Sequence, residues 1–146
     1  MKKIILAAFM AACGLQMSAQ QNLFVAQDLE SAIVNKDNTV TFNFKAPDAQ
    51  KVQIAGDFAE KAEGQHIGGM VGAGLIDMTK NSEGIWTYTT KPLDSELYSY
   101  EFMVDGVPTI DPNNVYVYRD FATTSNVFIV GNGKADLYKV NNVSSK

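Results

Sequence analysis

Apolar and polar residues alternate with a period of two along almost the whole chain beyond residue 20. In the stretch TVTFNFKAP, this alternation places Val40, Phe42 and Phe44 on one face of a strand. Pro47 ends that strand, because proline cannot donate a hydrogen bond to a ladder. No window places apolar residues at helical spacing for longer than one turn. The pattern therefore predicts an all-β chain.

Further strands are predicted at short intervals. KVQIAGD turns Val52 and Ile54 inward, and LIDMT, GIWTYTT and NVFIV are shorter runs of the same kind. The segments KNSEG and KPLDSE between them are rich in residues that turns favour. We expect Trp86 of GIWTYTT in the core. The longest run is LYSYEFMV, whose predicted core face consists of Tyr98, Tyr100, Phe102 and Val104.

Asp105 and Gly106 follow this long run and predict a tight turn. Both residue types tolerate the positive φ angles of a two-residue hairpin turn, so SYEFMV and VPTI are predicted to pair antiparallel. About seven to eight short strands joined by such turns are typical of a two-sheet sandwich. We therefore expect an immunoglobulin-like β-sandwich over residues 31–134. It is preceded by an N-terminal arm over 20–30 and followed by a C-terminal tail or truncated linker over 135–146.

The N-terminus has the layout of a secretory signal peptide over residues 1–19. Two lysines precede an apolar run over residues 4–12, and small and polar residues follow it. The apolar run is shorter than the roughly 20 residues needed to span a bilayer. We expect cleavage after Ala19 and a periplasmic or secreted protein. Alternatively, the residues before Cys13 loosely match a lipobox, and acylation of Cys13 would make an outer-membrane lipoprotein.

Removal of the signal peptide changes both the charge and the cysteine content. Its two lysines are lost, so the formal net charge falls from −4 to −6, and Cys13 is the only cysteine of the chain. An acidic domain is not expected to bind nucleic acid, because that binding needs clustered Lys and Arg. A domain without disulfides must be stabilised by apolar burial.

Candidate catalytic and metal-binding residues are few. The chain has no G-x-S-x-G motif, and its single histidine is His66. His66 lies in DFAEKAEGQHIGGMVGAG, residues 57–74, which we expect to form one 18-residue loop with five glycines. No second histidine or cysteine is available to share a metal, so we expect neither a metal site nor a cofactor.

Three aspartates near the predicted turns could in principle act as a catalytic pair. Asp105 belongs to the predicted hairpin turn, and Asp111 precedes Pro112, where turn chemistry explains it. Asp120 lies in a tyrosine-rich segment. Since paired-carboxylate catalysis also needs a cleft that perturbs one pKa, we do not expect this chemistry.

The segment VYVYRDF differs from the other strands, because neither of its faces is cleanly polar. One face carries Tyr116, Tyr118 and Asp120, and the other carries Arg119 among apolar residues. Tyrosine and arginine are enriched at interfaces. We expect a ligand or partner surface here, formed by Tyr116, Tyr118, Arg119 and Asp120, with His66 as a further candidate. The alternative is an edge strand with a solvated arginine.

Several stretches together resemble a known family. APDAQKVQIAGDF, GIWTYTTKPLDSELYSYEFMVDG, DPNN and NVFIVGNG resemble the early-set, immunoglobulin-like domain of carbohydrate-binding module family 48. That family is related to the glycogen-binding domain of AMP-activated kinase beta subunits. Residues 21–141 look more closely like the N-terminal domain of secreted bacterial esterases of the feruloyl and enterochelin type. In those proteins the sandwich precedes an α/β-hydrolase domain that carries the serine nucleophile.

The positions that bind sugar in glycogen-binding members differ in this chain. Those members have a tryptophan after the G-[SD]-F turn, a lysine after the tyrosine of the long strand and a tryptophan after the DG turn. Here GDF is followed by AEKAEG, and the other two positions hold Glu101 and Pro108. The resemblance therefore implies the fold but not glycogen as the ligand.

Together these observations predict a non-catalytic accessory domain of a secreted carbohydrate-esterase system, acting as a docking or glycan-associated module. The implied partner is an α/β-hydrolase esterase domain or protein. One alternative is a carbohydrate-binding module for a polysaccharide other than glycogen, using Tyr116, Tyr118 and the connection 57–74. Another is an esterase truncated before its hydrolase domain.

Overall fold

A computed structural model describes residues 29–67 and 70–138, and for 61–67 and 70–73 it describes the backbone only. The predicted signal peptide, Cys13, most of the predicted arm and residues 139–146 lie outside the described residues. No helix in the described part of the chain is long and apolar enough to cross a membrane.

Twelve short strands and one 3₁₀ helix make up the regular structure of the described residues. The strands are β1 (Ile33–Val34), β2 (Val40–Lys45), β3 (Val52–Gly56), β4 (Lys61–Ile67), β5 (Met70–Ala73), β6 (Leu75–Asp77), β7 (Thr79–Lys80), β8 (Ile85–Thr89), β9 (Leu97–Val104), β10 (Val107–Thr109), β11 (Val117–Arg119) and β12 (Thr124–Ile129). The 3₁₀ helix is Lys134–Tyr138.

Two antiparallel sheets form the sandwich and confirm the predicted all-β, immunoglobulin-like class. The four-stranded sheet has the order β1-β2-β8-β7. The larger sheet has the order β11-β12-β9-β3-β6, with β10 paired to β9. β4 and β5 pair only with each other. In the larger sheet β11 and β6 therefore lie at the two ends of this order, and β10 forms a further edge on the side of β9 opposite β3.

The core lies between the two sheets and consists of the residues that the alternation turned inward. Val40 and Phe42 of β2, Val52 and Ile54 of β3, and Tyr100 and Phe102 of β9 have no exposed surface. Phe44 and Trp86 are buried as well. The indole Nε1 of Trp86 donates to the Ala46 carbonyl at 2.9 Å, so burial leaves no polar atom of this ring unpaired.

Aromatic rings meet at the centre of this core, around Phe42. Its ring centroid lies 4.8 Å from that of Tyr100, 5.3 Å from that of Phe58 and 5.4 Å from that of Phe128. Phe42 belongs to the smaller sheet, whereas Tyr100 and Phe128 belong to the larger one. These ring contacts therefore join the two sheets.

The predicted Asp105-Gly106 turn is confirmed. Both residues have positive φ, 47° and 86°, and Val107 pairs with Val104 across the turn. The Asp105 carboxylate also accepts hydrogen bonds from the backbone N–H groups of Gln50 and Lys51, at 3.0 and 2.7 Å. The turn is thereby tied to the start of β3.

The connection 57–74 is not a single loop, as the sequence had suggested. Its backbone forms the β4–β5 hairpin, and His66 lies in β4 opposite Val71. The prediction failed because KAEGQHI lacks the apolar and polar alternation that marked the other strands. This hairpin and several strands of two or three residues raise the strand count above the seven to eight expected.

The C-terminal end of the described chain is packed on the sandwich. Residues 135–138, expected to begin a tail, belong to the 3₁₀ helix, where Ala135 is fully buried. The Ala135 N–H donates to the Ser95 hydroxyl at 3.1 Å.

The β6 edge of the larger sheet carries charged residues. Lys51 and Asp77 form an exposed ion pair there at 3.2 Å.

Phe42→Ala should lower the free energy of unfolding by about 3–5 kcal/mol, because it removes the ring on which the inter-sheet contacts converge. Urea denaturation followed by tryptophan fluorescence measures the change. Phe121→Ala is the matched control, since Phe121 is fully exposed and should change stability by no more than about 0.5 kcal/mol. Equal losses in the two variants would contradict this assignment of the core.

Candidate functional site

Two exposed tyrosines lie at the edge strand β11, Tyr118 within it and Tyr116 directly before it. Tyr116 is 71% exposed and Tyr118 is 60% exposed. Tyr118 lies opposite Ser125 of β12, and the Tyr116 carbonyl accepts a hydrogen bond from Val127 N–H at 3.0 Å. Residues paired across strands share a face. Both tyrosines therefore lie on the outer face of the larger sheet, away from the core.

Local hydrogen bonds hold β11 at both ends. Before the strand, the Asn114 side-chain oxygen accepts from Tyr116 N–H at 2.9 Å. After it, the Asp120 carboxylate accepts from the N–H groups of Ala122 and Thr123, at 2.8 and 2.7 Å. These bonds lower the pKa of Asp120 and fix the turn into β12.

An apolar cleft lies beside Tyr116 on the same sheet. It has a volume of about 280 Å³ and is lined by Leu97, Tyr116, Val127, Phe128 and Ile129. Val127 and Ile129 lie opposite Ser99 and Leu97 of β9, which places their side chains on the outer face. The cleft and the two tyrosines form a continuous surface, which we call the tyrosine surface.

On the outer face, Tyr116, Val127 and Ser99 lie side by side on three successive strands. Asp57 lies beyond Ser99 and accepts hydrogen bonds from the Ser99 N–H and hydroxyl at 2.8 and 2.6 Å. Strands are about 4.8 Å apart, so Asp57 lies about 14 Å from Tyr116. The outer face of the sheet is thus apolar at the tyrosine surface and polar beyond it, at Ser99 and Asp57.

A buried carboxylate, that of Glu101, lies two strands away from Tyr118. Ser125 pairs with Tyr118 across β11 and β12, and the Ser125 hydroxyl donates to Glu101 Oε1 at 3.2 Å. Glu101 is only 4% exposed, and its Oε2 has no hydrogen-bond partner among the described residues. Burial raises the pKa of Glu101, and the Ser125 hydrogen bond partly offsets this increase.

A buried polar network lies behind the tyrosine surface. The Tyr100 hydroxyl donates to Asp111 Oδ2 at 2.7 Å and accepts from Asn114 Nδ2 at 3.0 Å. Asn126 Oδ1 accepts from Asp111 N–H at 2.6 Å, and its Nδ2 donates to the Asn114 carbonyl at 2.9 Å. Burial and the Asp111 charge raise the pKa of Tyr100. This network anchors the segment that leads into β11.

The structure brings together only part of the predicted surface. Tyr116 and Tyr118 lie side by side, whereas Arg119 lies opposite Thr124 and points to the other face of the sheet. The Asp120 carboxylate is occupied by its own turn. The side chain of His66 and the whole of Cys13 lie outside the described residues, so their predicted roles stay predictions.

Sequence reasoning missed two residues of this region. Asp111 was explained as a turn residue, and Asp111 Oδ1 does accept from Asn113 N–H at 2.8 Å. Its second role, as the buried acceptor for Tyr100, depends on a strand 11 residues away along the chain. Glu101 alternates with core residues and so looked solvent-facing. Its burial follows from its place between Ala55 and Ser125 on the neighbouring strands, which alternation along β9 does not reveal.

No group of three or more His, Cys, Asp or Glu side chains in the described ranges is arranged to hold a metal ion. Near β11, the exposed carboxylate of Asp120 has a structural role, because it accepts hydrogen bonds from its own turn.

Comparison with known proteins relates the chain by fold. No known family's sequence profile matches the chain, and no curated protein matches it. The crystal structure of the Group B Streptococcus pullulanase SAP is similar, with 16% identity and a TM-score of 0.51 over 73% of this chain. The structure of the same pullulanase in complex with maltotetraose gives 16% identity and a TM-score of 0.50 over 73% of this chain.

Each of these alignments covers 15% of the pullulanase chain. The likeness therefore concerns the fold of one part of a much larger protein. It supports the β-sandwich assignment from a direction independent of the residue pattern.

Glu101→Gln should stabilise the protein increasingly as the pH rises. The folded-state pKa of Glu101 lies above its ordinary value of 4.5, so the folded protein holds this proton more tightly than the unfolded chain. The stabilisation of the folded protein by protonated Glu101 is complete below pH 4.5. It is lost as the pH rises through the folded-state pKa of Glu101. Urea denaturation of both proteins between pH 4 and 8 measures the difference.

Glu83→Gln, which removes an exposed charge, controls for net charge in that experiment. A Glu101→Gln effect that stays constant across this pH range would contradict a raised pKa.

Tyr100→Phe should lower the free energy of unfolding by about 1–3 kcal/mol, because it leaves a buried carboxylate oxygen without its donor. Tyr98→Phe is the matched control, since the Tyr98 hydroxyl donates to the Asp94 carbonyl at an exposed site. Chemical denaturation compares the two, and an equal small loss in both would show that the buried network contributes little.

Proposed function

We propose that this chain is a non-catalytic, carbohydrate-binding accessory module that binds a polysaccharide other than glycogen through the tyrosine surface. The observation that carries the proposal is the pair of exposed rings, Tyr116 and Tyr118, on one face of a rigid sheet beside an apolar cleft. Sugar rings present apolar C–H faces and polar edges. An exposed tyrosine offers a matching apolar ring with a polar tip.

The arrangement of the surface supports a chain-like ligand. A polysaccharide stacked on the tyrosines can extend towards Ser99 and the exposed Asp57, where its hydroxyl groups meet hydrogen-bonding atoms. Tyr118 lies in β11, and Tyr116 directly precedes it with its N–H and carbonyl both hydrogen-bonded, so little ordering entropy is lost on binding. The maltotetraose complex of the similar pullulanase adds a precedent for oligosaccharide binding in a protein that contains this fold.

The system that the module serves is also part of the proposal. The resemblance of APDAQKVQIAGDF and LYSYEFMVDG to the N-terminal domain of secreted esterases favours an α/β-hydrolase esterase as the catalytic partner. In that arrangement the module keeps the esterase on its polysaccharide, and the protein functions in the periplasm or outside the cell.

A second candidate function is docking onto the catalytic partner itself. Leu137 and Tyr138 of the 3₁₀ helix are 87% and 56% exposed, and they lie far along the chain from the tyrosine surface. Apolar side chains exposed next to each other favour contact with another protein surface. Docking at this helix and glycan binding at the tyrosine surface use different residues and can therefore be separated by mutation.

Affinity electrophoresis through gels containing starch, glycogen, xylan or arabinoxylan tests the glycan-binding proposal, with an inert protein as the mobility reference. We expect retardation in at least one gel other than glycogen. Tyr116→Ala and Tyr118→Ala should each weaken that retardation roughly 3- to 10-fold, the equivalent of one aromatic contact.

Phe121→Ala is the matched control, because it removes an exposed ring of the same region that does not belong to the tyrosine surface. Free mobility in every gel would overturn glycan binding and leave docking as the function. Retardation that survives both tyrosine substitutions would place the glycan elsewhere on the sandwich.

A further inference from the structure

The strand β11 exposes apolar side chains on the face opposite the tyrosines as well. Val117 lies opposite the buried Asn126, so it belongs to the core side of the larger sheet, yet it is 50% exposed. Val115 is 84% exposed, and of the residues on this face of β11 only Arg119 is charged. Edge strands of natural proteins are usually protected by several charges, a proline or a bulge. β11 therefore lacks the usual protection against strand pairing.

The outer side of β11 also presents backbone groups without a ladder partner. The Tyr116 carbonyl accepts a hydrogen bond from Val127 N–H, so it points towards β12. Backbone direction alternates along an antiparallel strand. The N–H and C=O groups of Val117 and Arg119 therefore point away from β12, on a side where no further strand lies in the described part of the chain.

The other edges of the larger sheet do not match β11. The β6 edge carries the exposed ion pair of Lys51 and Asp77. The β10 edge contains Pro108, which has no N–H group to donate to a ladder. The edge that offers both apolar side chains and a complete set of backbone groups is β11 itself. Two identical edges pair antiparallel about a two-fold axis, and such an interface is closed.

We propose that two copies of this chain pair antiparallel through β11, about a two-fold axis that is perpendicular to the sheet and passes beside Val117. In this register Val117 lies opposite Val117 of the second copy, and Tyr116 lies opposite its Tyr118. The outward N–H and C=O groups of Val117 bond to those of the same residue in the second copy. Cross-strand aromatic pairs and β-branched pairs of this kind stabilise a sheet.

The register also keeps like charges apart. Arg119 lies opposite Val115 of the second copy, so the two Arg119 residues are separated along the ladder by about four residues, or about 13 Å. This separation exceeds the Debye length of about 8 Å at physiological ionic strength. The only charged side chain on this face of β11 therefore does not oppose the pairing.

The exposed area of the edge fits a weak, reversible dimer. Val115, Tyr116, Val117 and Tyr118 are 50–84% exposed. Since a whole aromatic side chain has roughly 150–250 Å² of surface, the four side chains expose on the order of 450 Å² per copy. Two copies together can bury up to about 900 Å² of it, which lies within the range of weak interfaces below about 1,200 Å². The backbone ladder adds the geometric specificity of strand addition.

Pairing would join two tyrosine surfaces into one. Because the axis is perpendicular to the sheet, Tyr116 and Tyr118 of both copies lie on the same outer face, in one row across the dimer. A polysaccharide that spans both copies would then gain affinity from two linked sites. This consequence rests on the proposed function, whereas the pairing itself involves no ligand.

Sedimentation equilibrium of the complete chain tests the pairing. We expect a reversible equilibrium of monomer and dimer at micromolar concentrations. Val117→Lys should raise the dissociation constant of the dimer at least about tenfold, because it places two ammonium groups opposite each other across the axis. Val107→Lys is the matched control, since it makes the same change at a valine of β10 that is 62% exposed, and it should leave the dissociation constant unchanged.

A monomer at every concentration up to about 1 mM would overturn the proposal. A dimer that both lysine variants weaken equally, or that neither weakens, would overturn it too, because its interface would lie elsewhere. Oligomers that grow with concentration would contradict a closed two-fold interface. A dimer of the expected kind that no polysaccharide gel retards would refute the proposed function and leave the pairing in place.

Hydrogen exchange gives a second measurement that needs no substitution. The Val117 and Arg119 amides should exchange at least about tenfold more slowly well above the dissociation constant of the dimer than well below it, because pairing supplies their acceptors. The amides of β9 are the internal reference, since they are paired within one copy. Exchange at Val117 and Arg119 that does not depend on protein concentration would overturn the proposal.

Discussion

The Tyr100 hydroxyl is the contact on which the geometry of this sandwich depends. Tyr100 lies in the centre of the larger sheet, and its ring packs against Phe42 of the smaller one. Its hydroxyl then meets Asp111, Asn114 and Ser31, which belong to segments far apart along the chain. One side chain therefore contacts the two sheets, the segment that leads into β11 and the residues just before β1. Together with the Asn126 hydrogen bonds, this contact ties the segment that leads into β11 to the core.

That contact shows how a buried polar group can specify a structure. Apolar packing alone would let β11 slide along β12, because its own side chains are exposed on both faces. Asn126 removes this freedom, since its amide must satisfy Asp111 and Asn114 together. The register of the candidate site is thus set on the core side of the sheet, by hydrogen bonds of the buried Asn126 and Asp111.

The parts of the fold that followed from the sequence are those governed by local rules. Alternation in TVTFNFKAP identified the buried faces of Val40 and Phe42, and the positive φ preference of Asp105-Gly106 identified the hairpin turn. The β4–β5 hairpin was not predicted, because its residues lack this alternation of apolar and polar side chains. The burial of Glu101 and Asp111 was not predicted, because it depends on strands that are distant along the chain. A polar residue in a strand looks the same in sequence whether water or protein lies above it.

The two edges of the larger sheet differ, and this asymmetry limits how copies of the molecule can associate. The β6 edge is guarded by the Lys51–Asp77 ion pair, whereas the β11 edge carries valines and unpaired backbone groups. A growing fibre needs two compatible edges on every molecule, so that each addition creates a new acceptor. Because these two edges differ, pairing of β11 of one copy with β6 of the next would bring the valines against an ion pair, which does not favour a growing fibre.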